Sequence, residues 1–327
     1  MDGDLAALAL RDSGEQSREA GHDPMVHDAR RKGLRRRRLL RWAGGIGVGG
    51  AGLAGYAAAW EPGVRLRVVH HRISPPGWPR GLPLSIALIA DPHCGGPHTP
   101  LARLSRAVAM ANAQRPDLVV LLGDYLADHR FVSERPSMRQ VADVLAGLRA
   151  PLGVHAILGN HDWWEDPAAQ AKQVAMPFAA ADFAAAGLPI LQNEVRPLEH
   201  RGQRVWLAGL GSQWSYGRRG RWHGTDDLPG TLAQITDDAP TILLAHEPDI
   251  FPQVPARVAV TLSGHTHGGQ VRAFGWSPIV PSRFGNRFAY GSIIEERRHL
   301  VVSGGIGNSI MPVRFGMPPE ITMVELS

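Results

Sequence analysis

LSIALIADPH, residues 84–93, is the stretch whose reading decides how this chain folds. Leu84 to Ala90 is a nearly continuous apolar run, the pattern of a strand buried on both faces. It stops at Asp91-Pro92-His93, where two side chains can ligate a metal or move a proton. The same design recurs downstream. Asp117 to Leu122 runs into Gly123-Asp124, and Val154 to Leu158 into Gly159-Asn160-His161-Asp162. Thr241 to Ala245 runs into His246, and Val258 to Leu262 is followed by Gly264-His265-Thr266-His267. Every cluster sits just past the carboxyl end of an apolar strand, where open α/β sheets build their sites.

Strands buried on both faces need covering layers. Thr99-Pro100 offers an N-cap and a first-turn proline for a helix to about Gln114. Residues 137–148 are helical in pattern, and Ala-rich helices are expected over 168–175 and 178–186. Arg65 to Ile73 alternates like a strand, and Val205 to Leu210 is a further apolar run. After residue 270 helices give way to short strands expected near 287–294, 299–303 and 321–326. A βαβα first half followed by mostly β predicts an α/β sandwich, with no domain boundary after residue 62.

Mixed imidazole, carboxylate and amide ligands suit borderline divalent metals such as Mn, Fe, Zn or Co. Two such ions about 3.5–4 Å apart can share a carboxylate and clamp a phosphoryl group. Asp-x-His, Gly-Asp, Gly-Asn-His-Asp, a lone His and Gly-His-x-His, in that order, resemble the calcineurin-like metallophosphoesterases across residues 84–270. GHTHGGQ (264–270) and the segment from Gly304 to Glu320 resemble, more narrowly, the bacterial exported or membrane-associated YkuE-like phosphoesterases. Pro92 replaces a commoner Leu. The resemblance implies a four-layer αββα sandwich over residues 61–327. It also implies hydrolysis of a phosphate mono- or diester, or a pyrophosphate, by in-line attack of a metal-bound hydroxide.

The resemblance further implies that Asp91, His93, Asp124 and His267 hold one divalent ion. Asp124, Asn160, His246 and His265 hold the other, with Asp124 bridging. His161 is expected to protonate the leaving group, with Asp162 orienting it. Trp163 and Trp164 are expected to wall the cleft, the alternative being packing against the following helix. Arg314 is expected to contact phosphate. The loop QWSYGRRGRWHG (213–224) reads as solvated, or as a surface for an anionic or lipid head group. The expected substrate is a phosphorylated small molecule or a lipid head group. A non-catalytic scaffold of the same fold is disfavoured because no ligand position is replaced.

Charge argues against a nucleic-acid partner, and with it a nuclease. Residues 1–41 hold ten Lys and Arg against seven Asp and Glu, leaving 25 against 23 for the body. A near-neutral body lacks the basic footprint of a nucleic-acid binder. The single cysteine, Cys94, excludes an internal disulfide and a Cys-rich zinc site, and reads as a bland core residue.

Residues 1–34 are polar without apolar period and read as disordered; Met25 offers an alternative start. Arg35 to Arg41 is followed by residues 42–60, nineteen without charge, thirteen of them Gly or Ala. As a helix this run spans about 28 Å, close to one bilayer core. The segment 35–60 resembles a twin-arginine export signal, with Ala57-Ala58-Ala59 as a cleavage site, or an uncleaved anchor. Either places the body at the inner membrane or on its periplasmic face. A flexible linker behind a basic tail is the alternative.

Overall fold

The computed structural model describes residues 42, 47, 49–218 and 221–327, with Arg218 described by its backbone alone. The polar segment 1–34, the paired Arg36-Arg37 and most of residues 35–48 lie outside the described residues. The chain divides into two units, Met1–Gly52 and Leu53–Ser327. In the first, Gly49–Gly52 are helical. The second begins at Leu53 rather than at 61, because residues 53–60 already pack on the body: Ala57 accepts a hydrogen bond from Arg314 N at 2.9 Å. No described helix is long and apolar enough to cross a membrane.

A π-helical turn, Tyr56–Trp60, leads into α1 (Glu61–Val64), β1 (Arg67–Ile73) and β2 (Leu84–Ile89). Then come α2 (Leu101–Ala113), β3 (Leu118–Leu121), α3 (Met138–Leu145), β4 (Val154–Ala156), α4 (Asn160–Trp164), α5 (Pro167–Lys172) and α6 (Phe178–Ala185). The second half runs β5 (Glu194–His200), β6 (Gln203–Gly209), β7 (Tyr216–Arg218), β8 (Arg221–His223), α7 (Leu228–Ala233), β9 (Thr241–Leu244) and β10 (Val258–Ser263). It closes with β11 (Gly291–Glu295), β12 (Arg298–Val302) and β13 (Glu320–Leu326).

Two sheets result, ordered β1-β13-β2-β3-β4 and β11-β12-β10-β9-β6-β5. The carboxyl-terminal β13 slides between β1, which it meets in parallel, and β2, which it meets antiparallel. Alternate residues of the central strands point to opposite faces, and both faces are covered. Ile86, Leu88, Val120 and Leu122 meet Leu207, Leu244, Val260 and Leu262 of the other sheet. Ala87, Ile89, Val119 and Leu121 face outward onto Leu104, Val108, Val141 and Phe183 from α2, α3 and α6. On the far side Leu243, Leu300 and Val302 are covered by Leu228 and Leu232 of α7 and by Ile250 and Phe251. This is the four-layer αββα sandwich.

Several local expectations shift. Thr99 is not the cap of α2; its backbone pairs with Gly95 in a bridge, and α2 starts at Leu101 behind Pro100. α3 does carry a capping box, Ser137 with Gln140. α5 stops at Lys172 because Gln173 turns left-handed (φ 47°). The strand expected near 287–294 starts at Gly291, after a 3₁₀ turn over Gly285–Phe288. β5 was not anticipated: it is an edge strand, mostly exposed and interrupted by Pro197, so it lacks the buried-strand pattern.

The inter-sheet layer predicts a clear mutational cost. Leu88 is fully buried between the sheets. Leu88→Ala is expected to lower unfolding free energy by about 2–5 kcal/mol, read from the denaturant midpoint with the slope unchanged.

Candidate metal centre

Strand ends β2, β3 and β4 of one sheet and β9 and β10 of the other open onto the same edge of the sandwich. Backbone and side-chain ties cross between them. His246 Nδ1 donates to the Leu122 carbonyl at 2.6 Å, from the second sheet to the first. His265 N donates to Asp91 Oδ1 at 2.8 Å. The loops reach this geometry in the left-handed backbone region: φ is 49° at Asp91, 37° at His93, 56° at Asp124, 69° at His265 and 51° at His267. Non-glycine residues there cost about 1–3 kcal/mol each, so the surrounding contacts must over-determine these turns. Gly159 and Gly264 allow the final approach. A Cβ on Gly159 would sit 2.3 Å from Asp124 Oδ1, and one on Gly264 would sit 2.5 Å from Asp91 Oδ2.

All seven expected ligands come together, in two groups. Asp91, His93 and His267 offer ligand atoms within 4.8 Å of one another, as do Asp124, His246 and His265. Asn160 joins the second group: its Oδ1 is 2.8 Å from His265 Nδ1 and 3.1 Å from His246 Nε2. Asp124 stands between the groups, with Oδ2 3.2 Å from His246 Nε2 and 3.5 Å from His93 Nε2.

The donor set fits divalent cations. His246 and His93 each direct Nδ1 at a backbone carbonyl, Leu122 and Leu126, which turns Nε2 inward. Second partners of this kind orient metal-binding imidazoles. Asp91 Oδ2, His93 Nε2 and His267 Nε2 are buried without any hydrogen-bond partner, while His265 faces the site with Nδ1. Buried lone pairs facing one another are costly unless a cation or proton lies between them. Burial pushes His93 down to about 4, and burial also holds His265 and His267 well below the usual imidazole range. Neutral imidazole is the ligating form. Burial opposes charge on Asp124, but His246, His161 and His93 override it and hold the carboxylate ionised.

His161 is outside these two groups, but with His93 and Asp128 it forms a third set of ligand atoms within 4.8 Å of one another, its ring 4.9 Å from that of His93. Its orientation corrects the expectation about Asp162. Asp162 does not touch the His161 ring; it accepts from the backbone N–H groups of Asp124, Tyr125 and Gly159 at 2.9, 2.9 and 2.8 Å. It staples the loop after β3 to the start of α4. The carboxylate that orients His161 is Asp128, 2.8 Å from Nδ1. The only signal for it was a carboxylate four residues beyond Asp124, in Asp124-Tyr125-Leu126-Ala127-Asp128. Burial works against the charged imidazole, yet Asp124 and Asp128 lift it to about 9.

Two more expectations change. Arg314 is wholly buried and does not face the cleft. It donates to the carbonyls of Gly304, Gly307 and Met317, and its Nη2 reaches His267 Nδ1 at 3.1 Å. It therefore holds the Gly304–Gly307 turn and the His267 ring, with no donor left for phosphate. Trp163 is likewise fully buried, edge-on to Tyr216 at 5.3 Å, and belongs to the core. Trp164 does line the cleft, 4.8 Å from the His161 ring, and stacks on Trp222 at 4.5 Å. Trp222 is on β8 of the β7–β8 hairpin, which occupies the stretch expected as a loop. Trp214 stands edge-on to His265 at 4.6 Å. Cys94 is buried against the Thr99 carbonyl, and burial pushes its thiol up to about 12, so it is neither ligand nor reactive nucleophile.

The calcineurin-like phosphoesterase family model matches residues 84–269, from the first strand of the site to the last ligand loop. The chain belongs to this family. The metallophosphoesterase YkuE of Bacillus subtilis is 30% identical over 302 residues, covering 90% of this chain and 98% of YkuE. The phosphodiesterase YaeI of Escherichia coli K12 is 28% identical, covering 90% of this chain and 99% of its own. Among solved structures, a dimetal phosphatase from Danio rerio matches with TM-score 0.37 and 13% identity, over 68% of this chain and 88% of that one. The chain is a metal-dependent phosphoric ester hydrolase of the calcineurin-like family, with divalent metal cofactors.

The two carboxylates beside His161 predict separable phenotypes. Asp162→Ala leaves three buried N–H groups unpaired, at about 1–3 kcal/mol each. It is expected to lower both the melting temperature and bound metal. Asp128→Asn is expected to keep full metal content and lose about 10²-fold in kcat. Metal analysis alongside kinetics checks both.

Proposed function

We propose that this chain hydrolyses a phosphodiester. In this reading Asp91, His93, Asp124 and His267 hold one divalent ion, and Asp124, Asn160, His246 and His265 hold a second. His161 is the proton donor to the leaving alcohol. The observation that carries the reading is the orientation of His161: Asp128 lies on its Nδ1 at 2.8 Å, and its Nε2 is turned to the mouth, where Ser309 Oγ lies 3.5 Å away. The diester preference is supported by the relation to the E. coli phosphodiesterase YaeI.

Divalent ions, when bound, supply Lewis-acid stabilisation of the phosphoryl oxygens and lower the pKa of water. The donor set of imidazole, carboxylate and amide favours Mn, Fe, Zn or Co. The protein's own groups do the rest. Water adds to phosphorus opposite the leaving oxygen and gives up one proton to solvent, the P–O bond breaks, and His161 Nε2 delivers its proton to that oxygen and regains one from solvent. Asp128 keeps the imidazole aligned for the transfer, and its carboxylate on Nδ1 favours the charged ring. Trp164, Trp214 and Trp222 bound the cleft with apolar faces suited to the organic part of the ester. We also place the body on the extracytoplasmic side of the inner membrane, a reading supported by Arg35–Arg41 and the uncharged residues 42–60.

Chelator-treated protein is expected to lose turnover of bis(p-nitrophenyl) phosphate and regain it with Mn or Zn, at a higher kcat/KM than for p-nitrophenyl phosphate. His161→Ala is expected to retain metal and lose about 10²–10⁴-fold in kcat on diesters of alkyl alcohols. The loss should be smaller on p-nitrophenyl diesters, whose leaving group needs no proton. An equal loss on both would remove His161 from the proton-donor role. A reporter carrying residues 25–65 should appear outside the cytoplasm; a cytosolic, unattached reporter would reject export.

A further inference from the structure

One part of the surface is apolar where a soluble body should be polar. Phe274 is fully exposed, Ile279 and Ile310 are 74% and 77% exposed, and Trp276 and Met311 are also exposed. Single exposed apolar residues are ordinary, but a grouped set marks an interaction site. These residues are on two loops tied into one rung. Val271 bridges to Phe315, and Arg272 N donates to the Phe315 carbonyl at 2.7 Å. Gln270 Nε2 donates to the carbonyls of Met311 and Val313 at 2.9 and 3.1 Å. Ala273 and Trp276 pair across the tip that carries Phe274.

Three observations name the occupant. The rung receives the amino-terminal helical segment: the Tyr56 ring packs edge-on to Phe315 at 6.2 Å, and Arg314 N donates to the Ala57 carbonyl. Residues 35–60, which lead to that point, are a run of arginines followed by an uncharged apolar stretch. The charge also has one sign. Residues 264–294 and 303–319 contain Arg272, Arg283, Arg287 and Arg314 and no Asp or Glu. Arg287 pairs with Glu295, Arg314 is buried and Arg272 is half-buried against Ser277 and Asn286, which leaves Arg283 as the exposed cation, with Asp249 held on its backbone N–H. Finally, the rim borders the catalytic mouth, since Ser309, beside Ile310, is the residue that reaches His161. Aromatic and aliphatic tips flanked by arginine are the chemistry of an anionic lipid–water interface.

We propose that the rim of Phe274, Trp276, Ile279, Ile310 and Met311 seats the body on an anionic lipid surface, with the catalytic mouth opening toward head-group phosphates. The orientation toward phosphates rests on the phosphodiesterase reading; the docking does not. Sedimentation of the full chain with vesicles of phosphatidylcholine, with or without phosphatidylglycerol, tests it. The wild-type chain should partition into the mixed vesicles at least about tenfold more strongly than the Phe274→Ser, Ile279→Ser, Ile310→Ser variant. It should bind pure phosphatidylcholine more weakly. Phe274→Glu should show the same defect, and both variants should hydrolyse soluble bis(p-nitrophenyl) phosphate as the wild type does.

All three proteins carry the same amino-terminal segment, so equal partitioning would assign attachment to that segment and overturn the proposal. Loss of soluble-diester hydrolysis in Phe274→Glu would make the rim part of the catalytic mouth and overturn it too. A wild-type dimer without vesicles, monomeric in the triple variant, would assign the rim to self-association instead. Partitioning is read without turnover, so failure of docking and failure of the phosphodiesterase reading remain distinguishable.

Discussion

Everything at this site follows from one electrostatic constraint: buried lone pairs have been gathered where a cation or a proton must lie between them. His246 Nε2 and His265 Nδ1 both lie within about 3 Å of Asn160 Oδ1, and Asp124 Oδ2 is 3.2 Å from the first of them. His93 and His267 turn Nε2 inward with no partner. The fold bears this cost because the same side chains are fixed from behind by carbonyls and backbone N–H groups. Asp162, Leu122, Leu126 and Arg314 all act on the rear of the site. Left-handed turns at five cluster positions are the backbone counterpart of that fixation.

The site also explains why the protein needs two sheets. Asp91, Asp124 and Asn160 follow strands of one sheet, and His246 and His265 follow strands of the other. The inter-sheet layer of Ile86, Leu88, Leu207, Leu244 and their neighbours sets how far apart the two halves of the ligand set stand. Metal chemistry is therefore tied to the sandwich core, while selectivity is delegated to elements added at the edge. The β7–β8 hairpin brings Trp222 onto Trp164, the turn before it brings Trp214 to His265, and the 270–284 and 308–315 segments form the rim.

The candidate ligands were legible because each cluster follows its own apolar strand, so position past a strand end was readable without partners. The helper residues were not, for physical reasons. His161 and Asp162 are neighbours in sequence, but successive side chains on a helix point in different directions and do not face each other. Asp162 therefore reaches back to the β3 loop, and Asp128, 33 residues away in sequence from His161, takes its ring nitrogen. Arg314 was expected at phosphate because arginine commonly is; its burial depends on the Gly304–Gly307 turn and Met317 folding around it. Trp163 and Trp164 look equivalent in sequence, yet Trp163 points into the core and Trp164 toward the cleft.

By itself the sequence determined the strand-end placement of the chemistry, the candidate ligand residues and the family. Those are local properties, carried by apolar runs and the residues that end them. Only the tertiary structure decided that β13 enters between β1 and β2, that Asp124 stands between two ligand groups, and which of two tryptophans and two aspartates serve the site. Those outcomes depend on distances between groups far apart in sequence, from 33 residues for Asp128 and His161 to 105 for Asn160 and His265, and no local pattern encodes them.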